Sequence, residues 1–101
     1  MEQTAKESTP RVEVSKFPLG QLYFTREAMA QVKHEDMIAA LNRYSKGDWG
    51  ILCDEDKDAN KQALRYGSRI LSAYKDRNGI TFWIITEADR SATTVLLPDD
   101  Y

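Results

Sequence analysis

Residues 68–97 contain three short β-rich runs, and the links between these runs constrain the fold more than any other feature of the sequence. The runs cover residues 68–75, 80–86 and 92–97 and are rich in the β-branched and aromatic residues that favour strands. Only four or five residues separate one run from the next, whereas a parallel crossover needs about a dozen or more. The three runs are therefore predicted to form an antiparallel β-meander.

The middle run carries apolar side chains on both faces of the predicted strand. Phe82 and Ile84 alternate with Trp83 and Ile85, and successive side chains of a strand point to opposite faces. Such a pattern is typical of a central strand. We expect helices to cover one face of it and another part of the chain to cover the opposite face in part.

Residues upstream of the meander predict about three helices. Thr25 has the side chain of an N-cap, a second helix is expected to begin near Glu35, and a third is expected between a capping Asp54 and a closing Gly67. Residues 21–24 suit either a strand or an extended packed segment. The predicted fold class is therefore α+β, with about three helices followed by a three- to four-stranded antiparallel β-meander.

Polarity divides the chain into a tail and one predicted domain. Residues 1–16 are mostly charged or polar and are predicted to form a flexible N-terminal tail, although the alternation in residues 11–14 also suits an edge strand. Residues 17–101 are predicted to form a single α+β domain, and a segment of this length is an ordinary size for a domain.

Charge and cysteine content narrow the classes of function. Fourteen basic and sixteen acidic residues give a net charge of −2, and a protein that binds nucleic acid through many phosphates usually has a basic excess. Nucleic acid is therefore a less favoured partner than protein. A single cysteine forms no internal disulfide, and no run is long and apolar enough for a membrane span or a secretory signal. The chain is predicted to be cytoplasmic, without a membrane partner.

Metal and cofactor chemistry find little support in the sequence. His34 and Cys53 stand alone, and the acidic run over residues 54–58 lacks the glycine and the closing glutamate of an EF-hand loop. Cys53 follows two aliphatic residues and is predicted to be a buried, inert thiol. No metal site and no cofactor are predicted.

The densest group of polar residues lies in the link between the last two predicted strands. Glu87, Asp89 and Arg90 fall there and are, with Trp83 on the preceding strand, the predicted binding residues. The alternative is a capped turn, in which Asp89 bonds to nearby backbone N–H groups and Arg90 pairs with an acid.

A catalytic hypothesis uses some of the same residues. A metal-independent ribonuclease needs a base for the 2′-hydroxyl, a cation for the phosphate and a proton donor. Glu87, Arg69, Arg90 and Tyr74 are the residue types for such a site. The analogy is to barnase-like and RelE-like toxins, which also place helices before an antiparallel sheet.

Several longer segments resemble a family of small bacterial proteins described as hypothetical or plasmid-related. The segments are residues 47–50 (GDWG), 69–74 (RILSAY), 83–91 (WIITEADRS) and 96–98 (LLP). The resemblance covers about residues 18–101. It implies an accessory role on a mobile genetic element, and no catalytic or binding residue is carried over from it.

Two functions follow from these observations. The first is a small cytoplasmic accessory protein that acts as a non-enzymatic protein-interaction module, either with a partner or with its own copy. The second is the metal-independent ribonuclease. The apolar character of both faces of residues 80–86 favours the first.

Overall fold

The computed structural model describes residues 15–101, which contain three α-helices and four strands. In chain order these are β1 (Gln21–Phe24), α1 (Arg26–Gln31), α2 (His34–Ser45), α3 (Asp54–Tyr66), β2 (Ile70–Lys75), β3 (Thr81–Thr86) and β4 (Ala92–Leu96), followed by a short 3-10 helix at Pro98–Asp100. The predicted α+β class and the predicted number of helices are confirmed.

The predicted tail lies almost wholly outside the described residues. This holds for the edge strand predicted at residues 11–14 as well. Within the described part, the backbone N–H of Lys16 donates to the Ser45 carbonyl at 2.8 Å, at the end of α2. Phe17 then packs edge-to-face on Tyr44, with ring centroids 5.4 Å apart. The chain is therefore attached to the helical layer from Lys16 onward.

Local signals explain most of the helix ends. The Ala28 N–H donates to Thr25 Oγ1 at 3.1 Å, so Thr25 is the N-cap of α1, as predicted. Gly67 ends α3 in the left-handed conformation at φ +75°. The prediction that Asp54 caps α3 was wrong: the chain stays extended through Cys53, which occupies the N-cap position, and Asp54 is the first helical residue. There its carboxylate still favours the positive end of the helix dipole.

The sheet has the strand order β1-β4-β3-β2 and is mixed rather than purely antiparallel. Strands β2, β3 and β4 form the antiparallel meander that the short links predict. Strand β1 precedes the helices and pairs in parallel with β4, so the prediction of an antiparallel sheet placed wholly after the helices was wrong. The whole helical segment connects β1 to β2–β4, and a connection of that length permits parallel pairing.

The main core lies between the helices and one face of the sheet. Phe82 and Ile84 of β3 are fully buried there with Tyr44 and Leu41 of α2. Within residues 15–101, no helix combines the length and the apolar content that crossing a lipid bilayer requires.

Candidate functional site

Arg90 joins the β3–β4 turn to the end of α3. Its Nη1 donates to the carbonyls of Ser68, Glu87 and Ala88 at 2.7, 3.1 and 3.2 Å, and its Nη2 donates to the Ala63 carbonyl at 3.0 Å. The predicted pairing of Arg90 with an acid was therefore wrong, because backbone carbonyls receive these hydrogen bonds. Arg90 also has a φ of +63°, a backbone conformation that non-glycine residues adopt rarely. The structure gives this residue a supporting role in the turn.

Asp89 and Glu87 lie exposed in the same turn. The Ser91 backbone N–H donates to the Asp89 carboxylate at 3.0 Å, as the capped-turn alternative predicted. Hydrogen bonds from the Ser91 hydroxyl and backbone N–H lower the pKa of Asp89. The Glu87 carbonyl accepts the Arg90 backbone N–H at 2.9 Å, and the Glu87 side chain points to solvent.

Tyr74 is buried on the helix-covered face of β2. Its ring stacks on Phe82 with centroids 5.8 Å apart, and its hydroxyl donates to the Asp48 carbonyl at 2.7 Å. The Arg43 guanidinium lies over the same ring, 5.2 Å from the centroid. Burial raises the pKa of Tyr74. The side chain therefore ties β2 to the α2–α3 loop and holds its proton at neutral pH.

Arg69, Tyr101 and Trp83 form a stack on the opposite side of the sheet. Arg69 Nη2 donates to the Tyr101 hydroxyl at 2.5 Å, and its guanidinium lies 5.5 Å from the centre of the Tyr101 ring. The Tyr101 ring in turn meets Trp83 edge-to-face, with centroids 5.6 Å apart. Residues 97–101 thus cover part of the face that no α-helix covers, while Trp83 remains half-buried.

The four residues of the ribonuclease hypothesis are not brought together. Ile70 pairs with Thr86, so Arg69, Glu87 and Arg90 lie near one end of the β2–β3 pair. Tyr74 lies five residues further along β2, about 16 Å away on an extended strand, and it faces the core. A proton donor, a base and a cation therefore do not converge on one point through these side chains.

The predicted binding residues fall into two groups. Glu87, Asp89 and Arg90 occupy the β3–β4 turn, whereas Trp83 lies in the middle of the sheet face that carries no α-helix. We call this surface the open face, and strand register defines its members, because residues paired across strands share a face. Its two central rows are Leu71, Ile85, Thr94 and Tyr23, and then Ala73, Trp83 and Leu96, and the pairs Lys75–Thr81 and Gln21–Ala92 flank them on the same face.

The two central rows of the open face contain no charged side chain. Ile85 and Leu96 are buried at its base, Trp83 and Thr94 are half-buried, and Tyr23 is 54% exposed. Sequence reasoning identified Trp83 and Ile85 on this side but missed Tyr23 and Thr94. Only the parallel pairing of β1 with β4 brings those two side chains onto one row.

The metal and thiol predictions have separate outcomes. Within residues 15–101, no group of three or more His, Cys, Asp or Glu side chains is placed to hold a metal ion. The acidic residues that begin α3 point to solvent. Cys53 is exposed rather than buried, so that prediction was wrong: the aliphatic neighbours that suggested burial do not enclose the N-cap position.

A depression of about 540 Å³ lies between the α2–α3 loop and α3. Asp48, Asp54 and Asp58 line it together with Lys57 and Lys61. The mixed charges do not favour one sign of ligand. Comparison of the chain with protein-family models, with curated proteins and with solved structures gave no match.

Proposed function

We propose that this chain is a non-enzymatic protein-interaction module that binds a partner protein through its open face. The observation that carries this proposal is the pair of uncharged rows on that face, in which Trp83 and Tyr23 stand over the buried Ile85 and Leu96. An apolar centre with accessible aromatic side chains is the usual composition of the core of a protein interface.

The rim of the open face indicates the kind of partner. Lys75 and Arg69 are exposed on the β2 side, and neither forms an ion pair with another described residue. A matching partner presents an apolar patch with acidic residues along one edge, because opposite charges at a rim favour association and exclude wrong partners.

The positions of the polar residues support an interaction module over the ribonuclease. Arg90 donates its hydrogen bonds to backbone carbonyls, and Tyr74 is buried under the helices. Both residues serve the fold, which leaves the part of the open face that residues 97–101 do not cover as the surface without an evident structural task. As part of the same proposal, the protein is a small cytoplasmic accessory protein of bacterial, mobile-element origin, as the resemblance of residues 18–101 implies.

A charge placed on the open face tests this function. The tagged full-length protein and two variants, Thr94→Glu and Tyr66→Glu, are expressed in the host cell, and co-purified proteins are quantified. Thr94 lies between Ile85 and Tyr23 on the open face, whereas Tyr66 is 71% exposed at the end of α3. Both substitutions add one negative charge to an accessible site, so Tyr66→Glu is the matched control.

We expect a protein that co-purifies with the native chain and with Tyr66→Glu but not with Thr94→Glu. Its affinity, measured with purified components, should fall at least tenfold in the Thr94→Glu variant, while circular dichroism shows an unchanged fold. Equal recovery with all three proteins, or the cleavage of labelled RNA by the purified chain, would contradict the proposal.

A further inference from the structure

The two edges of the sheet are treated differently. At the β2 edge, the Asn60 side chain donates to the Leu71 carbonyl at 2.9 Å and accepts the Leu71 N–H at 3.3 Å. Further along that edge, the Ile51 N–H donates to the Ala73 carbonyl at 2.9 Å. These bonds occupy the backbone groups to which another strand would otherwise pair.

The β1 edge has no comparable cover among the described residues. Gln21 and Thr25 donate their backbone N–H groups to Ser91 and Val95 of the β4 side, each at 3.0 Å. In a parallel pair, alternate residues direct their backbone groups to the neighbour. Leu22 and Phe24 therefore direct their N–H and C=O groups outward, and no hydrogen bond within residues 15–101 reaches these groups.

Apart from its short length, strand β1 lacks the features that protect exposed edges. Its four residues, Gln21–Phe24, include no charged residue and no proline, although natural proteins commonly use both to prevent pairing between edges. Its side chains are apolar or aromatic at three of the four positions. An unprotected edge of this kind next to an open apolar face is suited to strand addition.

We propose that a second copy of this chain pairs with the β1 edge, so that two sheets join across a two-fold axis. This inference goes beyond the proposed function, because it uses the backbone of the β1 edge and not the side chains of the open face. With the axis at Tyr23, Leu22 of one copy lies opposite Phe24 of the other. The outward backbone groups of these two residues then form two hydrogen bonds, and symmetry repeats them.

The same register brings two further pairs of groups together. Tyr23 of each copy faces Tyr23 of the other on the open face, where its side chain is 54% exposed. Arg26 lies opposite Gly20, and Gly20 packs against Ser91 in the turn that carries the exposed Asp89. Arg26 forms no ion pair with another described residue, so it is available to pair with Asp89 of the other copy at each end of the paired strands.

The length of β1 sets the expected strength of the dimer. A four-residue strand contributes an interface at the small end of the range for specific complexes, which is typical of weak or transient association. We expect a dissociation constant in the range of about 1–100 μM. Sedimentation velocity from about 1 μM to 1 mM protein covers this range.

The symmetry gives the test its specificity. Tyr23→Lys and Tyr23→Glu each place like charges opposite one another, so each variant alone should dimerise at least tenfold more weakly than the native chain. An equimolar mixture of the two should recover a heterodimer, since opposite charges then meet. The matched controls are Tyr66→Lys and Tyr66→Glu, which should dimerise like the native chain, alone or mixed.

Amide hydrogen exchange of the native chain supplies a measurement that no substitution disturbs. The Leu22 and Phe24 amides should exchange more slowly as the protein concentration rises through the dimerisation range, while the Tyr23 amide, which faces β4, should stay protected throughout.

Three results would overturn the inference. The first is a native chain that remains monomeric at about 1 mM. The second is a dimer whose dissociation constant the Tyr23 variants leave unchanged, and the third is exchange of the Leu22 and Phe24 amides that does not depend on protein concentration. A monomeric chain would leave the partner test with Thr94→Glu unaffected, so the two proposals fail separately.

Discussion

At the scale of single residues, three buried hydroxyl groups connect the helices to the sheet. Tyr44 Oη lies 2.7 Å from Thr86 Oγ1, Thr86 Oγ1 lies 2.8 Å from Thr93 Oγ1, and Thr93 donates to the Leu19 carbonyl at 2.6 Å. A carbonyl only accepts, so the single Thr93 proton is used there and Thr86 must donate to Thr93. Tyr44 must then donate to Thr86. Each hydrogen bond in this series of hydroxyl groups therefore has a fixed donor and a fixed acceptor.

Replacing the middle hydroxyl should interrupt the whole chain. Thr86→Val keeps the shape of the side chain but removes the donor to Thr93, which keeps its bond to the Leu19 carbonyl, and leaves the buried Tyr44 hydroxyl with only the Ile70 carbonyl, 3.4 Å away. The expected loss is about 1–3 kcal/mol in the free energy of unfolding, measured by urea denaturation. Thr86→Ser keeps the hydroxyl and should lose only about 1 kcal/mol for the missing methyl group. Equal losses in the two variants would show that the hydroxyl chain contributes little.

Arg90 is the second residue whose side chain organises several backbone groups. Its planar guanidinium serves carbonyls that lie in different directions, and a lysine ammonium does not reproduce that geometry. We therefore expect Arg90→Lys to destabilise the protein nearly as much as Arg90→Ala, by about 1.5–3 kcal/mol. Arg65→Lys, at an exposed position on α3, is the control and should change stability by less than about 0.5 kcal/mol. If Arg90→Lys is as stable as the native chain, a positive charge at this position is enough to hold the turn, and the shape of the guanidinium is not needed.

At the scale of elements, the α2–α3 loop docks on the β2 edge through a glycine. A Cβ atom on Gly50 would lie 2.1 Å from the Ala73 carbonyl oxygen, and Gly50 has a φ of +73°. Gly67 has a similar φ of +75°, but nothing lies within 4 Å of its Cβ position. The two positions thus differ in the close approach of backbone and not in backbone conformation.

This difference predicts unequal effects of the same substitution. Gly67→Ala should cost about 1–2 kcal/mol, the penalty for a left-handed alanine. Gly50→Ala adds a clash with backbone and should cost about 3 kcal/mol or more, because the loop must leave the strand. Thermal unfolding of both variants gives the comparison. Similar losses at the two sites would mean that the loop moves without disturbing β2.

At the scale of the whole molecule, the sequence predicts what local patterns determine. The helices follow from capping at Thr25 and from apolar spacing, and the β2–β4 meander follows from its short links. The parallel pairing of β1 was not predictable, because a four-residue strand carries no signal that selects β4 over β2 across the helical segment. The role of Arg90 was hidden for the same reason: its acceptors at Ala63 and Ser68 are 27 and 22 residues away.

Acid stability is a property of the whole molecule that the carboxylates determine together. The side-chain hydrogen bond from Arg77 is the main cause that lowers the pKa of Asp36 to about 2. Backbone N–H groups, that of Ile80 foremost, lower the pKa of Asp76, and Arg43 lowers that of Asp48. Asp36 and Asp76 join the start of α2 to the β2–β3 turn through Arg77 and Lys33. Their ionised forms therefore hold helices and sheet together.

The sign of the pH dependence follows from these shifts. A carboxylate whose pKa is lower in the folded state stabilises that state fully above its unfolded pKa, and this contribution is lost as the pH falls through the folded value. For Asp36 the window runs from the ordinary value of 3.8 down to about 2. The urea midpoint of the native chain should therefore fall steadily from about pH 5 to pH 2.

Variants of the Asp36–Arg77 pair isolate one part of this acid loss. Asp36→Asn should lower stability at neutral pH and flatten the decline between about pH 4 and pH 2, since the titrating group is gone. Arg77→Gln should flatten the same part of the curve, because it removes the group that holds the pKa of Asp36 low. If the two residues act as a pair, the double variant should lose no more slope than Asp36→Asn alone. If the Arg77→Gln variant keeps the native dependence of stability on pH, the acid sensitivity belongs to Asp76 and Asp48 instead. The main acid-sensitive contacts would then lie away from the start of α2.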